Sequence, residues 1–132
     1  MSTETTRTVD GWQARPINGV NRAEVRRLAA SIARRGWVGR PLIANDWGNG
    51  LFLITGSHRS AALGILDRLA RRYYGSALAD RVRATLVPVV VTTVDLTDAC
   101  DDDDRLVMLR EAGDTVAAGI MAAEIEANEA WL

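Results

Sequence analysis

Residues Leu51-Phe52-Leu53-Ile54-Thr55 form an apolar stretch that runs into Gly56 and then, with no linker, into the helix-forming sequence Ser57-His58-Arg59-Ser60-Ala61-Ala62-Leu63. A strand that turns directly into a helix needs a sheet for the one and a packing face for the other, so an α/β fold is expected. Glycine at the junction lets the backbone turn sharply and lets a ligand approach it closely.

The flanking sequence supplies the rest of such a domain. Arg22 to Arg35 carries Val25, Leu28, Ala29 and Ile32 at helical spacing, with Asn21 as N-cap, Glu24 three residues on and Gly36 as the stop. Pro41 to Ala44 and Leu51 to Thr55 read as two strands joined through Asn45-Asp46-Trp47-Gly48-Asn49-Gly50, whose residues favour a tight hairpin connection. A second helix is expected from His58 to about Tyr73, with Ala61, Leu63, Ile65, Leu66 and Leu69 inward. Ala77 to Thr85 then makes a short helical or irregular connection to a buried strand, Leu86 to Val94. Aspartates crowd the start of a further amphipathic stretch, Arg105 to Ala112, and Thr115 to Asn128 reads as a last helix with Val116, Ile120, Met121 and Ile125 inward. Residues 1–12 are polar and expected to be a disordered lead, leaving 13–132 as one domain with a helical C-terminal part.

Composition narrows the setting. The chain has 132 residues and a formal net charge of −1, the profile of a globular protein and not of a fibrous or disordered one. Its longest apolar run, Leu86 to Val91, falls far short of the roughly 20 residues that span a bilayer. Cys100 is the lone cysteine, so no intrachain disulfide forms and a reducing, cytoplasmic setting is expected, without membrane contact. All 16 basic residues are arginine, which reflects either base composition of the genome or a use for planar phosphate-binding forks.

The junction is the main candidate site. The free N–H groups of a new helix, the hydroxyls of Ser57 and Ser60 and the guanidinium of Arg59 can converge on one anion, and a phosphate is the natural occupant. Each part also has an ordinary structural reading: Ser57 as an N-cap, Gly56 as a turn, Arg59 as a surface charge. As an exposed site residue, Arg59 is expected to serve the ligand and not the fold. Arg68, Arg71, Arg72, Tyr73, Tyr74, Arg81 and Arg83 make the segment from Asp67 to Leu86 the most basic of the chain, either a phosphate-tracking surface or a solvated helix face. In the acidic cluster from Asp98 to Asp104, Asp101 and Asp103 are candidate Mg²⁺ ligands, although consecutive aspartates diverge on a helix and also serve its dipole.

Taken together, Leu53-Ile54-Thr55-Gly56-Ser57-His58-Arg59-Ser60-Ala61-Ala62 resembles the L-I-x-G-E-R-R-x-x-A segment of ParB proteins and the G-G-C-H-R segment of sulfiredoxin. Ile17 to Arg22 is similar to the N-P-x-x-x-R stretch of that superfamily. Leu28-Ala29-Ala30-Ser31-Ile32, Gly36 and Arg40-Pro41-Leu42-Ile43 follow its L-A-x-S-I…G…Q-P-L-x-V, and Val87 to Val91 follows its V-P-V-x-V strand. The resemblance runs in order from about Ile17 to Leu96.

The resemblance implies a ParB/sulfiredoxin-like fold, a small mixed sheet with surrounding helices, whose G-x-x-R turn binds nucleotide phosphates: CTP in ParB, ATP in sulfiredoxin. Carried over, Gly56, Ser57, His58, Arg59 and Ser60 line the phosphate pocket, with Arg40 and Arg22 at its rim. It also implies Mg²⁺, DNA and a second copy of the chain as further partners, and a phage or plasmid origin. Two departures follow from the residues. Ser57 replaces the sulfiredoxin cysteine, so no thiolate attacks a sulfinyl phosphate, and it replaces the ParB glutamate, so no carboxylate is offered there to a metal. The E-N-L-Q-R segment and the helix-turn-helix of chromosome-segregating ParB are missing. The expectation is a nucleotide- or phosphate-binding domain. A nuclease or phosphoryl-transfer enzyme using His58 or Ser57, and a non-catalytic DNA- or protein-binding regulator, stand as alternatives.

Overall fold

The computed structural model describes residues 2–8, 15–16, 21–37, 39–55, 57–73 and 75–129. Five strands make one mixed sheet: β1 (Ser2–Thr8), β2 (Arg15–Pro16), β3 (Leu42–Asp46), β4 (Leu51–Leu53) and β5 (Leu86–Thr92), in the spatial order β1-β5-β3-β4-β2. β5 runs parallel to the central β3, with Leu42 opposite Val89 and Ala44 opposite Val91, while β4 returns antiparallel to β3. The hairpin forms as its composition requires. Trp47 N–H donates to the Gly50 carbonyl at 3.1 Å, the Asp46 carboxylate accepts from Gly48 N–H at 2.9 Å, and Trp47 stacks on Phe52.

Residues 2–8 correct the expectation of a disordered lead. They pair antiparallel along the whole of β5, Ser2 opposite Thr92 and Thr8 opposite Leu86. Four of these seven residues are threonine, whose branched side chain suits a pleated edge, and the strand closes the hydrogen-bonding edge of β5 that would otherwise be open. Low apolarity hid the strand, since an edge strand contributes backbone hydrogen bonds more than core volume. Arg15–Pro16 adds a short parallel pairing to β4, with proline at the sheet margin where its missing donor is tolerated. The remainder of that expected lead, residues 1 and 9–12, lies outside the described residues.

Five helices cover the two faces. α1 (Arg22–Arg35), α2 (Ser57–Tyr73) and α3 (Gly75–Arg83) pack on one side through Val25, Ala29, Ile32, Leu63, Leu66 and Val82 against Leu42, Ala44, Val87 and Val89. α4 (Asp102–Glu111) and α5 (Thr115–Glu129) pack on the other side through Leu109, Ala117, Ala118 and Met121 against Ile43, Ile54 and Val90. The alternation Leu42, Ala44 against Ile43 is the period of two of a strand buried on both faces. No helix of the described residues is long and apolar enough to cross a membrane.

The helix ends follow their sequences, with three adjustments. Asn21 caps α1 by accepting from Glu24 N–H at 3.1 Å, and Gly36, at φ 72°, closes it by donating to the Ile32 carbonyl at 2.8 Å. Helix α4 starts three residues earlier than its apolar pattern suggested, because Asp101 caps it and Asp102, Asp103 and Asp104 occupy the dipole-favoured first turn. Leu69, expected inward, is 38% exposed, and Ala70 takes the buried position. In α5 the buried row is Ala117, Ala118, Met121 and Glu124, and Val116 is exposed. The small alanines let the helix lie close to the sheet.

Two buried polar residues lock the acidic half to the sheet. Asn45 donates to the carbonyls of Thr92 at 3.0 Å and Val94 at 2.8 Å and accepts from the Trp47 indole at 2.6 Å. Asp114, at the start of α5, accepts from Thr92 Oγ1 at 2.7 Å, Ser2 Oγ at 2.8 Å and Ala117 N–H at 3.2 Å. Burial pushes its carboxyl up, but the donors from Thr92, Ser2 and Ala117 outweigh that and hold it below the usual carboxylate range. A depressed carboxylate stabilises the fold above its unfolded pKa of about 3.9 and loses that stabilisation as pH falls through the folded value. Chemical denaturation at pH 7 and pH 3 is expected to show Asp114→Ala losing about 2 kcal/mol at pH 7 and having a flatter acid limb than wild type.

Candidate functional site

The site grows from the meeting of two helix amino ends. β4 is followed by Ile54 and Thr55, which fasten the chain to β3. Ile54 N–H donates to the Ile43 carbonyl at 3.0 Å, and Thr55 Oγ1, buried, accepts from Ile43 N–H at 2.7 Å. Gly56 lies outside the described residues. Ser57 opens α2. His58 then reaches back to α1, its Nε2 accepting the Asn21 backbone N–H at 2.9 Å. The amino terminus of α2 is thereby tied to that of α1, where Arg22 is exposed on the first turn. Two helix amino ends in contact concentrate positive potential. The bond occupies the Nε2 lone pair that a general base would need, so in this arrangement His58 is a strut.

Arg59 does not stand out in solvent. Its side chain is only 12% exposed and its guanidinium is held on three sides. Nη1 donates to the Arg40 backbone carbonyl at 2.7 Å, Nη2 pairs with Glu124 Oε1 on α5, and the group lies over the Trp37 ring, 4.8 Å from its centroid. The segment between α1 and β3 makes this cradle. Gly39 has φ 107°, a conformation that strains a side-chain-bearing residue, and a Cβ added there would come into ordinary contact with Arg59 Nη1. Burial pulls the Arg59 guanidinium below its ordinary pKa, Glu124 opposes that shift and Arg40 adds to it. An arginine remains charged through such a shift.

Arg40 joins the same carboxylate: its Nε donates to Glu124 Oε1 at 3.3 Å while its side chain stays 39% exposed. One nearly buried oxygen is thus shared by two guanidinium groups beside the head of α2. The Trp37 Nε1, buried in the same cluster, has no hydrogen-bond partner among the described residues. Ser60 lies half-buried in the first turn of α2.

Of the residues expected at the site, Arg59, Arg40 and His58 gather around the head of α2, and Arg22 lies on the turn that His58 touches. The expectation that Arg59 is free of structural duty is corrected by its burial and its ion pair. Glu124 and Trp37 were not foreseen. Their signals are weak in sequence: an acidic residue set three positions after Met121 on the otherwise apolar row of α5, and a tryptophan one residue after a helix-ending glycine.

The acidic cluster is arranged differently. Asp101 caps α4 by accepting from Asp104 N–H at 2.9 Å, Asp104 accepts from Cys100 N–H at 3.1 Å, and Asp102 pairs with Arg105 at 2.6 Å, while Asp103 is exposed. Among the described residues no group of three or more histidine, cysteine, aspartate or glutamate side chains converges to hold a metal ion. Asp101 thus serves α4 as its cap, and Asp103 stands exposed on the first turn.

No protein-family model and no curated protein matches the chain. Among solved structures it is similar to a C-terminally truncated chromosome-partitioning protein ParB from Caulobacter crescentus, complexed with CTP-γ-S. That match has 16% identity and a TM-score of 0.47, over 83% of this chain and 52% of that one. It is also similar to a Pnob8-like ParB-N domain, at 14% identity and a TM-score of 0.44, over 86% of this chain and 38% of that one. The chain spans about half, or less, of the length of these proteins. Both are structures of ParB proteins.

Proposed function

We propose that the head of α2 binds the phosphates of a nucleotide, with Arg59 and Arg40 as its charged clamp and the α2 amino end, including Gly56, Ser57 and Ser60, as its backbone and hydroxyl donors. One observation carries this reading: two guanidinium groups share a single, nearly buried carboxylate oxygen of Glu124 beside a helix amino terminus. An oxyanion already fits there. A phosphate brings more oxygens and more charge to the same donors, and the buried indole N–H of Trp37 is a donor in the same cluster that lacks an acceptor. The ordered resemblance to ParB from Ile17 to Leu96 supports CTP, with ATP as the alternative nucleotide. In the ligand-free chain Glu124 takes the place of the phosphate.

Isothermal titration with CTP and ATP tests the site. Glu124→Gln, which keeps shape and removes charge, is expected to tighten binding, and Arg40→Ala to weaken it at least about tenfold, as a charge-assisted hydrogen bond is worth about 1.5–3 kcal/mol. Absence of binding in both wild type and Glu124→Gln overturns the reading, and binding indifferent to both substitutions places the ligand elsewhere.

Stability should respond in the opposite sense. Arg59→Ala strands a buried carboxylate at a cost of about 3 kcal/mol, and adding Glu124→Ala is expected to recover part of that loss, a non-additivity that denaturant melts of the two singles and the double will measure.

Because Ser57 offers no carboxylate, the nucleotide is expected to be held with little turnover. Phosphate release under Mg²⁺, compared between wild type and Ser57→Glu, checks this. Wild-type release well above the uncatalysed background would make the protein a phosphoryl-transfer enzyme.

A further inference from the structure

The hairpin between β3 and β4 takes no part in the site at the head of α2, yet it carries a reactive pair of residues at its tip. Asn49 is followed by Gly50, both are exposed, and they lead directly into Leu51, the first residue of β4. The turn is fastened through other groups. Asp46 accepts from Gly48 N–H at 2.9 Å and the Gly50 carbonyl accepts from Trp47 N–H at 3.1 Å, while the Asn49 side-chain amide and the Gly50 N–H have no hydrogen-bond partner among the described residues. An electrophilic side-chain carbonyl and the backbone nitrogen that follows it thus stand unengaged in solvent.

The other asparagines are placed differently. Asn45 is buried, and its amide is held by Thr92, Val94 and Trp47. Asn21 spends its side-chain oxygen on Glu24 N–H as the cap of α1, and Arg22 follows it. Asn128 stands within α5, where backbone N–H groups are committed to helical bonds, and Glu129 follows it. Glycine follows an asparagine once more, at Asn18-Gly19, which lies outside the described residues. A glycine successor matters because it has no Cβ to crowd its own nitrogen.

We propose that Asn49 is a site of spontaneous covalent modification, deamidation through a cyclic imide, and that its main product is isoaspartate. The Gly50 nitrogen, on losing its proton to hydroxide, attacks Asn49 Cγ. The new C–N bond closes a succinimide ring, the bond from Cγ to the side-chain nitrogen breaks, and that nitrogen takes up a proton and leaves as ammonia. Water then opens the ring. Attack at the side-chain carbonyl gives aspartate in a normal chain, and attack at the backbone carbonyl gives isoaspartate, in which the chain runs through the former side chain. The balance is one water consumed for each ammonia released, with nothing oxidised or reduced. Either product puts a further carboxylate on the turn that already holds Asp46. Isoaspartate also lengthens the backbone by a methylene immediately before Gly50, whose carbonyl closes the turn. Its exposed carboxylate fits a carboxyl methyltransferase that draws on S-adenosylmethionine. This reading is independent of the nucleotide site, and its failure leaves that one untouched.

Ageing the purified protein at neutral and mildly alkaline pH, followed by cleavage at arginine, tests the proposal. Arg22 and Arg35 lie between Asn18 and Asn49, so the two fall in different peptides. Mass spectrometry is expected to find conversion of amide to acid at Asn49, rising in proportion to hydroxide and at least about tenfold faster than at Asn45, a barrier difference of roughly 1.4 kcal/mol. The rate at Asn49 in the folded chain should lie within about tenfold of its rate in guanidinium chloride, because an exposed turn opens at little cost. Labelled methyl transfer by an isoaspartyl methyltransferase should reach the peptide that contains residue 49 only after ageing. It should vanish from that peptide in Asn49→Gln, whose longer side chain has to close a larger ring, with circular dichroism showing that this variant keeps the fold. No conversion at Asn49, conversion more than about tenfold slower than in denaturant, equal conversion at Asn45, or conversion without methyl acceptance would each overturn the proposal.

Discussion

The contact between Arg59 and Glu124 holds the two halves of this molecule to a common geometry. Arg59 stands on α2, in the layer that covers one face of the sheet, and Glu124 on α5, in the layer that covers the other. Neither charge tolerates such burial alone. Desolvation disfavours each, and their mutual attraction together with the Arg40 carbonyl and the Trp37 ring offsets it. The position of α5 is therefore set in part by electrostatics, and an event that alters charge at the head of α2 is felt at the opposite layer.

Beneath that contact the sheet is organised around β3. Its residues Leu42 to Asn45 are buried, feeding one core through Leu42 and Ala44 and the other through Ile43. Asn45 then uses both ends of its amide to hold the loop after β5 and the hairpin after β3. Asp114 performs the same service for β1, β5 and α5. Fully satisfied polar groups of this kind fix one register and one helix placement where apolar contact alone permits neighbouring solutions.

Local patterns made much of this legible. Helix α1 announces itself at both ends, in Asn21 with Glu24 and in Gly36, and the hairpin in its run of glycines and short polar residues, because both depend on contacts within a few residues. The βα junction was visible for the same reason. What escaped was decided by partners distant in sequence. Strand β1 exists because β5, far along the chain with Ser2 opposite Thr92 and Thr8 opposite Leu86, offers it an edge. The confinement of Arg59 depends on Glu124, 65 positions on, and on a tryptophan placed by the turn after α1. An arginine beside a glycine turn reads as an exposed anion hook until the residue that covers it is known. Likewise Val116 and Leu69 fit an inward pattern by apolarity alone, and alanines displaced them because close approach to the sheet is a property of the packed pair of elements.

Positions 59 and 124 are also joined in how the chain can vary. A neutral residue at 59 leaves a carboxylate in a poorly solvated place, and a neutral residue at 124 leaves two guanidinium groups beside two helix amino ends with only solvent ions to balance them. Substitution at one position changes what is acceptable at the other, so drift at this site proceeds by paired replacement, and chains descended from a common ancestor should keep or lose the two together.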